Sequence, residues 1–228
     1  MNISEIFLSI QGEGKLAGVP SVFVRTSGCN LRCVWCDTPY TSWDPEGGPL
    51  SVDVILDRVA AYSTHHVVLT GGEPMIDADV VELTHRLTGS GYHTTIETAG
   101  TVWKDVVCDL ASISPKLSNS TPRQRDGGRH AEAHERNRIN LDTIRRFMAV
   151  GDHQLKFVVD APADIDEIDE LLAKIGSHES SNVLLMPQGT TQEELAKREP
   201  WVADLCKQRG FRYCPRLHIA LYGNQRGT

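Results

Sequence analysis

The chain has 228 residues, 40% of them hydrophobic and 23% charged, enough for one α/β domain with a sizeable core. A net charge of −7 argues against a broad electrostatic grip on nucleic acid, so no nucleic-acid partner is expected. No apolar run reaches membrane-spanning length, and the opening MNISEIFLSIQGEG carries Glu5 and Glu13 with no basic leader, so neither a membrane partner nor a secretory signal is expected and the expected compartment is the cytoplasm.

In chain order, Val22–Thr26 reads as a first strand, and Ser51 as the cap of a helix reaching about Tyr62. Val67–Thr70 is a second strand, followed by a helix capped by Asp77 and ending near Leu87. Thr94–Thr98 and Val106–Ser114 give the third and fourth strands. The polar, Arg-rich stretch 117–138 reads as a solvated excursion from a single domain spanning 1–228. Asn140 caps a helix to about Val150, Leu155–Val159 is a fifth strand, Asp164–Ile175 a helix and Val183–Met186 a sixth strand. Thr191–Gln208 is helical, with Pro200 expected to end or kink it, and Phe211–Cys214 is a short final strand.

Strand–helix alternation implies parallel strands with right-handed crossovers. SGCNLRC, TGGEP, ETAG, SPK and MPQG each fall at the C-terminal end of one of these strands. That end carries the active site in parallel barrels and open α/β sheets. The expected fold class is therefore α/β, an incomplete TIM-type barrel of about six parallel strands, too few for the closed eight-stranded form.

Three of the six cysteines, Cys29, Cys33 and Cys36, fall within eight residues, a clustering that suits metal ligation better than disulfides. Thiolates favour soft metals and iron–sulfur clusters, and three ligands leave one position open for chemistry. The alternative is structural zinc, which needs a fourth ligand; Cys108, Cys206, Cys214 and His65 are the candidates, none at finger-like spacing.

Cys29-x3-Cys33-x2-Cys36, with Trp35 before the last cysteine, resembles the signature of the radical S-adenosylmethionine (SAM) superfamily. The resemblance implies a [4Fe-4S] cluster whose open iron chelates SAM, and reductive cleavage of SAM to a 5′-deoxyadenosyl radical that abstracts a substrate hydrogen. It also implies SAM contacts from Gly72 and Glu73 of GGEP, from Ser114, Pro115 and Lys116, and from Met186, Pro187, Gln188 and Gly189.

Ile10-Gln11-Gly12-Glu13-Gly14, Arg25 and Cys36-Asp37-Thr38 together resemble the 7-carboxy-7-deazaguanine synthases, from Phe7 to about Gly223. That family converts 6-carboxy-5,6,7,8-tetrahydropterin with ring contraction and loss of ammonia, on the route to queuosine and other deazapurines. By this resemblance Ile10, Gln11, Gly12 and Thr70 contact the pterin, Arg25 pairs with its carboxylate, and Thr38 ligates Mg²⁺. His218 matches a substrate-facing histidine, with a structural role as its alternative. A homodimer and an electron donor such as flavodoxin or ferredoxin are expected. The sequence departs from the family at Ala99, where Asn is common, at Ile219, where Lys is common, and in the tail Gly223–Thr228. A glycyl-radical activase is the rival enzyme, and a zinc-binding interaction module the rival of another class.

Overall fold

The computed structural model describes residues 1–228. One open sheet of nine strands runs through the molecule in the order β3-β1-β2-β4-β5-β6-β7-β8-β9. In chain order the elements are β1 (Asn2–Ile10), β2 (Pro20–Thr26), β3 (Gly48–Pro49), α1 (Val52–Ala60), β4 (His66–Gly71), α2 (Val80–Gly89), β5 (His93–Thr98), β6 (Leu110–Ile113), α3 (Ala131–Asn137), α4 (Leu141–Met148), β7 (Asp152–Val159), α5 (Asp164–Ile175), β8 (Val183–Pro187), α6 (Gln192–Arg209), β9 (Arg212–Tyr213) and α7 (Leu217–Tyr222). From β2 to β9 every pairing is parallel, and β1 and β3 run antiparallel at one edge. The two end strands do not pair, so the barrel is partial.

Side chains alternate across each strand, which sorts them onto two faces. Val22, Val24, Leu69, Ile96, Ile113, Phe157 and Leu185 point to the helices and belong to one core of 32 buried residues. The intervening positions face the inner, concave side, where Val158, Leu184, Met186 and Cys214 form a separate cluster with Trp35 packed on it. That inner face is where the parallel strands deliver their polar residues.

Helix ends follow local chemistry. Ser51 accepts from Val54 N at the start of α1, and Asn140 from Thr143 N at the start of α4. Thr191 and Glu194 form a reciprocal capping box on α6, which closes on left-handed Gly210.

Several expectations need correction. β1 has no counterpart in the sequence reading, because a register shift between Ile3 and Glu5 breaks the alternation that marks a strand. Asp77 does not cap α2: Pro74–Ile76 forms a short 3₁₀ turn first, and α2 starts at Val80. β6 is four residues, Leu110–Ile113, shorter than the strand expected over Val106–Ser114. Pro200 sits inside a continuous α6, where buried Leu195 on one side and Val202 and Cys206 on the other hold the helix against the sheet despite the lost hydrogen bond. Residues 117–138 are not a bare solvated loop, since they contain α3 and bury Leu117, Ser120 and His134.

Candidate active site

The cysteine loop leaves the end of β2 and is anchored on three sides. Gly28 N donates to Thr41 O at 2.8 Å, and Glu73 N of the β4 turn donates to Gly28 O at 2.9 Å. A Cβ on Gly72 would collide with the Gly28 carbonyl, so the second glycine of GGEP is needed for the two loops to touch. From the third side, Arg32 N donates to His134 Nδ1 at 3.1 Å, and Ser120 Oγ meets His134 Nε2 at 2.9 Å. Burial pushes the His134 imidazole down to about 4, so at neutral pH it stays uncharged and able to accept.

Cys29, Cys33 and Cys36 are free thiols that line one cavity of about 480 Å³. Burial pushes Cys29 and Cys33 up to about 12, so a thiolate at either position calls for a positive partner. A cationic iron–sulfur cluster core supplies that charge, and three thiolates are the donor set for such a cluster with one iron left open. A structural zinc site would need a fourth protein ligand beside the three thiols, whereas a cluster needs only three. The residues present therefore fit a cluster.

The same cavity collects the inner-face residues of the strands. Ile10, Gln11 and Gly12 enter it from the end of β1, Arg25 from β2 and Thr70 from β4. Gly72, Ser114, Lys116 and Met186 line it at the ends of β4, β6 and β8, and Thr38 lies on the rim beside the cysteine loop. Lys116 Nζ donates to Ser114 O at 2.9 Å and to Ser114 Oγ at 2.8 Å, which folds the SPK turn back on itself. His218 also lines the cavity, packed so tightly on Gly12 that any Cβ there would collide with its ring. Burial holds His218 below the ordinary histidine value.

Other expected site residues stand outside the cavity. Glu73 is 1% exposed and lies behind the wall, not in it. Its Oε1 accepts from Thr98 Oγ1 at 2.8 Å and Met75 N at 3.2 Å, and its Oε2 from Ala99 N at 2.9 Å. It ties the β4 turn to the end of β5, and burial raises its pKa. Pro115, Pro187, Gln188 and Gly189 form the backbone behind the wall, where Gln188 N donates to Val159 O at 2.8 Å. Arg25 faces the cavity but already has a neighbour: its Nε lies 2.7 Å from Glu5 Oε1, an ion pair without an aligned hydrogen bond.

The floor holds a charged network that sequence reasoning missed. Lys156 on β7 is 4% exposed, with Nζ 2.5 Å from Glu13 Oε2 and 2.9 Å from Glu97 Oε2. Arg216, 6% exposed, lies 3.3 Å from the other Glu13 oxygen and also pairs with Asp37 and Gly189 O. Burial opposes the charge on Glu13, and Lys156 and Arg216 outweigh it, holding the carboxyl below its usual range. Glu97 also accepts from Ser112 Oγ at 3.0 Å and, more weakly, from Gln11 Nε2 at 3.4 Å. One signal was present: Lys156 is the only charge in the apolar run LKFVV and sits on its inward-facing period. For Arg216 the sequence holds no such signal.

Tail residues Asn224, Gln225, Arg226 and Thr228 line the cavity mouth. Arg226 lies 4.2 Å over the Tyr40 ring and pairs with Glu46 at 2.7 Å and Glu5 at 3.3 Å.

A family model described as the Radical SAM superfamily matches residues 23–118. A 7-carboxy-7-deazaguanine synthase from Halobacterium salinarum is 50% identical over 97% of this chain and 90% of its own length. One from Rhodopirellula baltica is 47% identical over 99% of this chain and 88% of its own. The crystal structure of QueE from Escherichia coli superposes with a TM-score of 0.69 at 27% identity, covering 95% of this chain and 94% of that one. The glycyl-radical activase and the zinc module give way before these likenesses. With its three-cysteine loop opening into a cavity at the ends of parallel strands, the chain belongs to the 7-carboxy-7-deazaguanine synthase family of radical SAM enzymes.

Proposed function

We propose that this chain converts 6-carboxy-5,6,7,8-tetrahydropterin to 7-carboxy-7-deazaguanine with loss of ammonia, as a radical SAM carbon–nitrogen lyase of queuosine and 7-deazapurine biosynthesis. The carrying observation is that one cavity holds both the three-thiol loop and a polar floor of Glu13, Lys156 and Glu97 with Arg25 on its wall. When bound, the cluster supplies the electron that cleaves SAM.

The chain's residues divide the rest of the work. Cys29, Cys33 and Cys36 hold the cluster. Gly72, Ser114, Lys116 and Met186 border the space assigned to SAM, while Glu73, Pro115, Pro187, Gln188 and Gly189 support that border from behind. Arg25 receives the pterin carboxylate, its planar fork suited to bidentate pairing. Ile10, Gln11, Gly12, Thr70 and His218 shape the pterin subsite. His218, held neutral by burial, can donate or accept one hydrogen bond without adding charge. The buried floor holds Glu13 ionised beside Lys156 and Arg216, and Lys156 also fixes Glu97 in place. Mg²⁺ is assigned to Thr38, whose hydroxyl is a hard oxygen donor at the cavity rim.

No helix is long and apolar enough to cross a membrane. A cytoplasmic homodimer served by a small protein reductant completes the proposal. Its test is pterin binding to the anaerobically purified, cluster-loaded protein, followed by titration calorimetry in the presence of SAM. Saturable one-to-one binding that is lost when the carboxylate is replaced by hydrogen supports the assignment; equal affinity for the decarboxylated pterin rejects it.

A further inference from the structure

The first strand changes faces along its length. Ile3 and Ile6 both pack on the helix-side core, while Phe7 lines the cavity. Side chains alternate along a regular strand, so two residues three apart cannot share a face there. The bulge removes the conflict. Arg25 and Thr26 are adjacent on β2, yet they pair with Glu5 and Ile3, which leaves Ser4 as the extra residue on β1. Beyond the bulge, Glu5 stands directly across from Arg25 and in step with Phe7, on the side of the sheet that those two residues present to the cavity.

The Glu5 and Arg25 side chains are 14% and 16% exposed, so this is a largely enclosed pair and not a solvated surface one. Arg25 has Glu5 Oε1 at 2.7 Å from its Nε, and its Cζ lies 5.4 Å from the centre of the Phe7 ring, which stacks on Phe23 at 5.2 Å. No hydrogen bond engages its two terminal nitrogens. Glu5 is fixed by groups other than Arg25: Tyr40 Oη donates to Oε1 at 2.9 Å, and Arg226 Nε donates to Oε2 at 3.3 Å. Tethering the tail does not account for Glu5, because Arg226 already pairs with Glu46 at 2.7 Å and donates to Ser4 Oγ at 3.2 Å. What Glu5 alone does is occupy one side of the Arg25 fork. A guanidinium offers a carboxylate two edges, the Nε side and the terminal Nη pair, and a partner on the first leaves the second free.

We propose that Glu5 is the positioning residue for Arg25, holding the Nε side of the guanidinium so that the terminal Nη pair meets the substrate carboxylate. The inference deepens the pterin assignment and rests on it. Glu5 touches Arg25 and not the substrate. Its removal has two opposed effects on an anionic ligand. Losing a negative charge near the mouth favours the ligand, but the partly solvated site and its salt damp that gain. Releasing the long Arg25 side chain adds an ordering cost that binding must then meet. The second effect decides the sign, so Glu5 strengthens carboxylate binding although it carries the same charge as the ligand.

The test is calorimetric titration of the cluster-loaded protein, with SAM present, by 6-carboxy-5,6,7,8-tetrahydropterin and by the same pterin with hydrogen in place of the carboxylate. Glu5→Ala should weaken binding of the carboxylated ligand about tenfold and change binding of the other by less than about twofold. Glu5→Gln keeps an acceptor for Tyr40 and Arg25, so its affinity for the carboxylated ligand should fall between wild type and Glu5→Ala. In an Arg25→Ala background, Glu5→Ala should have no further effect, because the group it positions is gone. Equal weakening of both ligands, or a Glu5→Ala loss that adds in full to that of Arg25→Ala, would make Glu5 a structural residue and overturn the proposal. A wild type with no preference for the carboxylated ligand overturns the pterin assignment and the role of Glu5 together. A wild-type preference that survives undiminished in both Glu5 variants overturns the role of Glu5 alone.

Discussion

Lys156 carries more of the site than any other single side chain, because it alone bridges Glu13 and Glu97 beneath the cavity. Its buried ammonium is held charged by those two carboxylates, which outweigh the burial cost and raise its pKa. Removing one partner of a buried charge group leaves the others uncompensated, so Lys156→Met should cost about 3–5 kcal/mol. Urea unfolding of the anaerobic holoprotein measures this, and a loss below about 1 kcal/mol, the value of an exposed pair, would mean the network is solvated. Adding Glu13→Gln to Lys156→Met should cost less than the two changes summed, because the residues share one network. Arg25 is a different case, an ion pair with Glu5 that the substrate carboxylate can join or replace. Arg25→Ala should weaken pterin binding by about 10- to 1000-fold, Arg25→Lys should recover only part, and iron content should not change. Unaltered pterin affinity in Arg25→Ala would make Arg25 structural. Thr38→Ala should blunt the response of turnover to added Mg²⁺; an unchanged metal dependence would reject that ligand.

At the scale of elements, the 117–138 segment and the cysteine loop depend on one another through His134. The imidazole accepts from Arg32 N only while its Nδ1 is unprotonated. With the folded value near 4 and the unfolded value near 6.5, the unfolded chain binds more protons across that window. Stability contributed by His134 is therefore complete above the unfolded value and lost as pH falls through the folded one, amounting to up to roughly 3 kcal/mol. Iron release from the anaerobic holoprotein should accelerate as pH drops from 6.5 toward 4, and His134→Gln should lose iron at neutral pH at a rate nearer the acid one. Release that is flat with pH would show the contact to be dispensable. This coupling was not legible in the sequence, where His134 lies in a polar stretch with no apolar periodicity to mark it as buried. The cysteine loop, GGEP and SPK were legible because each compresses its chemistry into a few adjacent residues at a strand end. Glu13 and Lys156 are 143 positions apart, and Glu13 and Arg216 are 203 apart, so only folding brings them together. β1 stayed hidden behind its bulge, and α6 ran through Pro200 because burial on both sides outweighed one lost bond.

For the whole molecule, the open parallel sheet divides labour between its faces. The helix-covered face supplies a continuous apolar core, and the concave face supplies the cavity, the charged floor and the cysteine loop. A closed barrel would leave less room for the N-terminal hairpin and the tail, which line the mouth through Phe7, Ile10 and Arg226. The reaction proposed for this cavity is radical ring contraction of a carboxylated tetrahydropterin. The most direct test is anaerobic turnover of the cluster-loaded protein with SAM, dithionite and 6-carboxy-5,6,7,8-tetrahydropterin, read by product mass and released ammonia. The expected products are 7-carboxy-7-deazaguanine and ammonia in equal amounts, both abolished by Cys33→Ala. Reductive cleavage of SAM with the pterin recovered intact would contradict it.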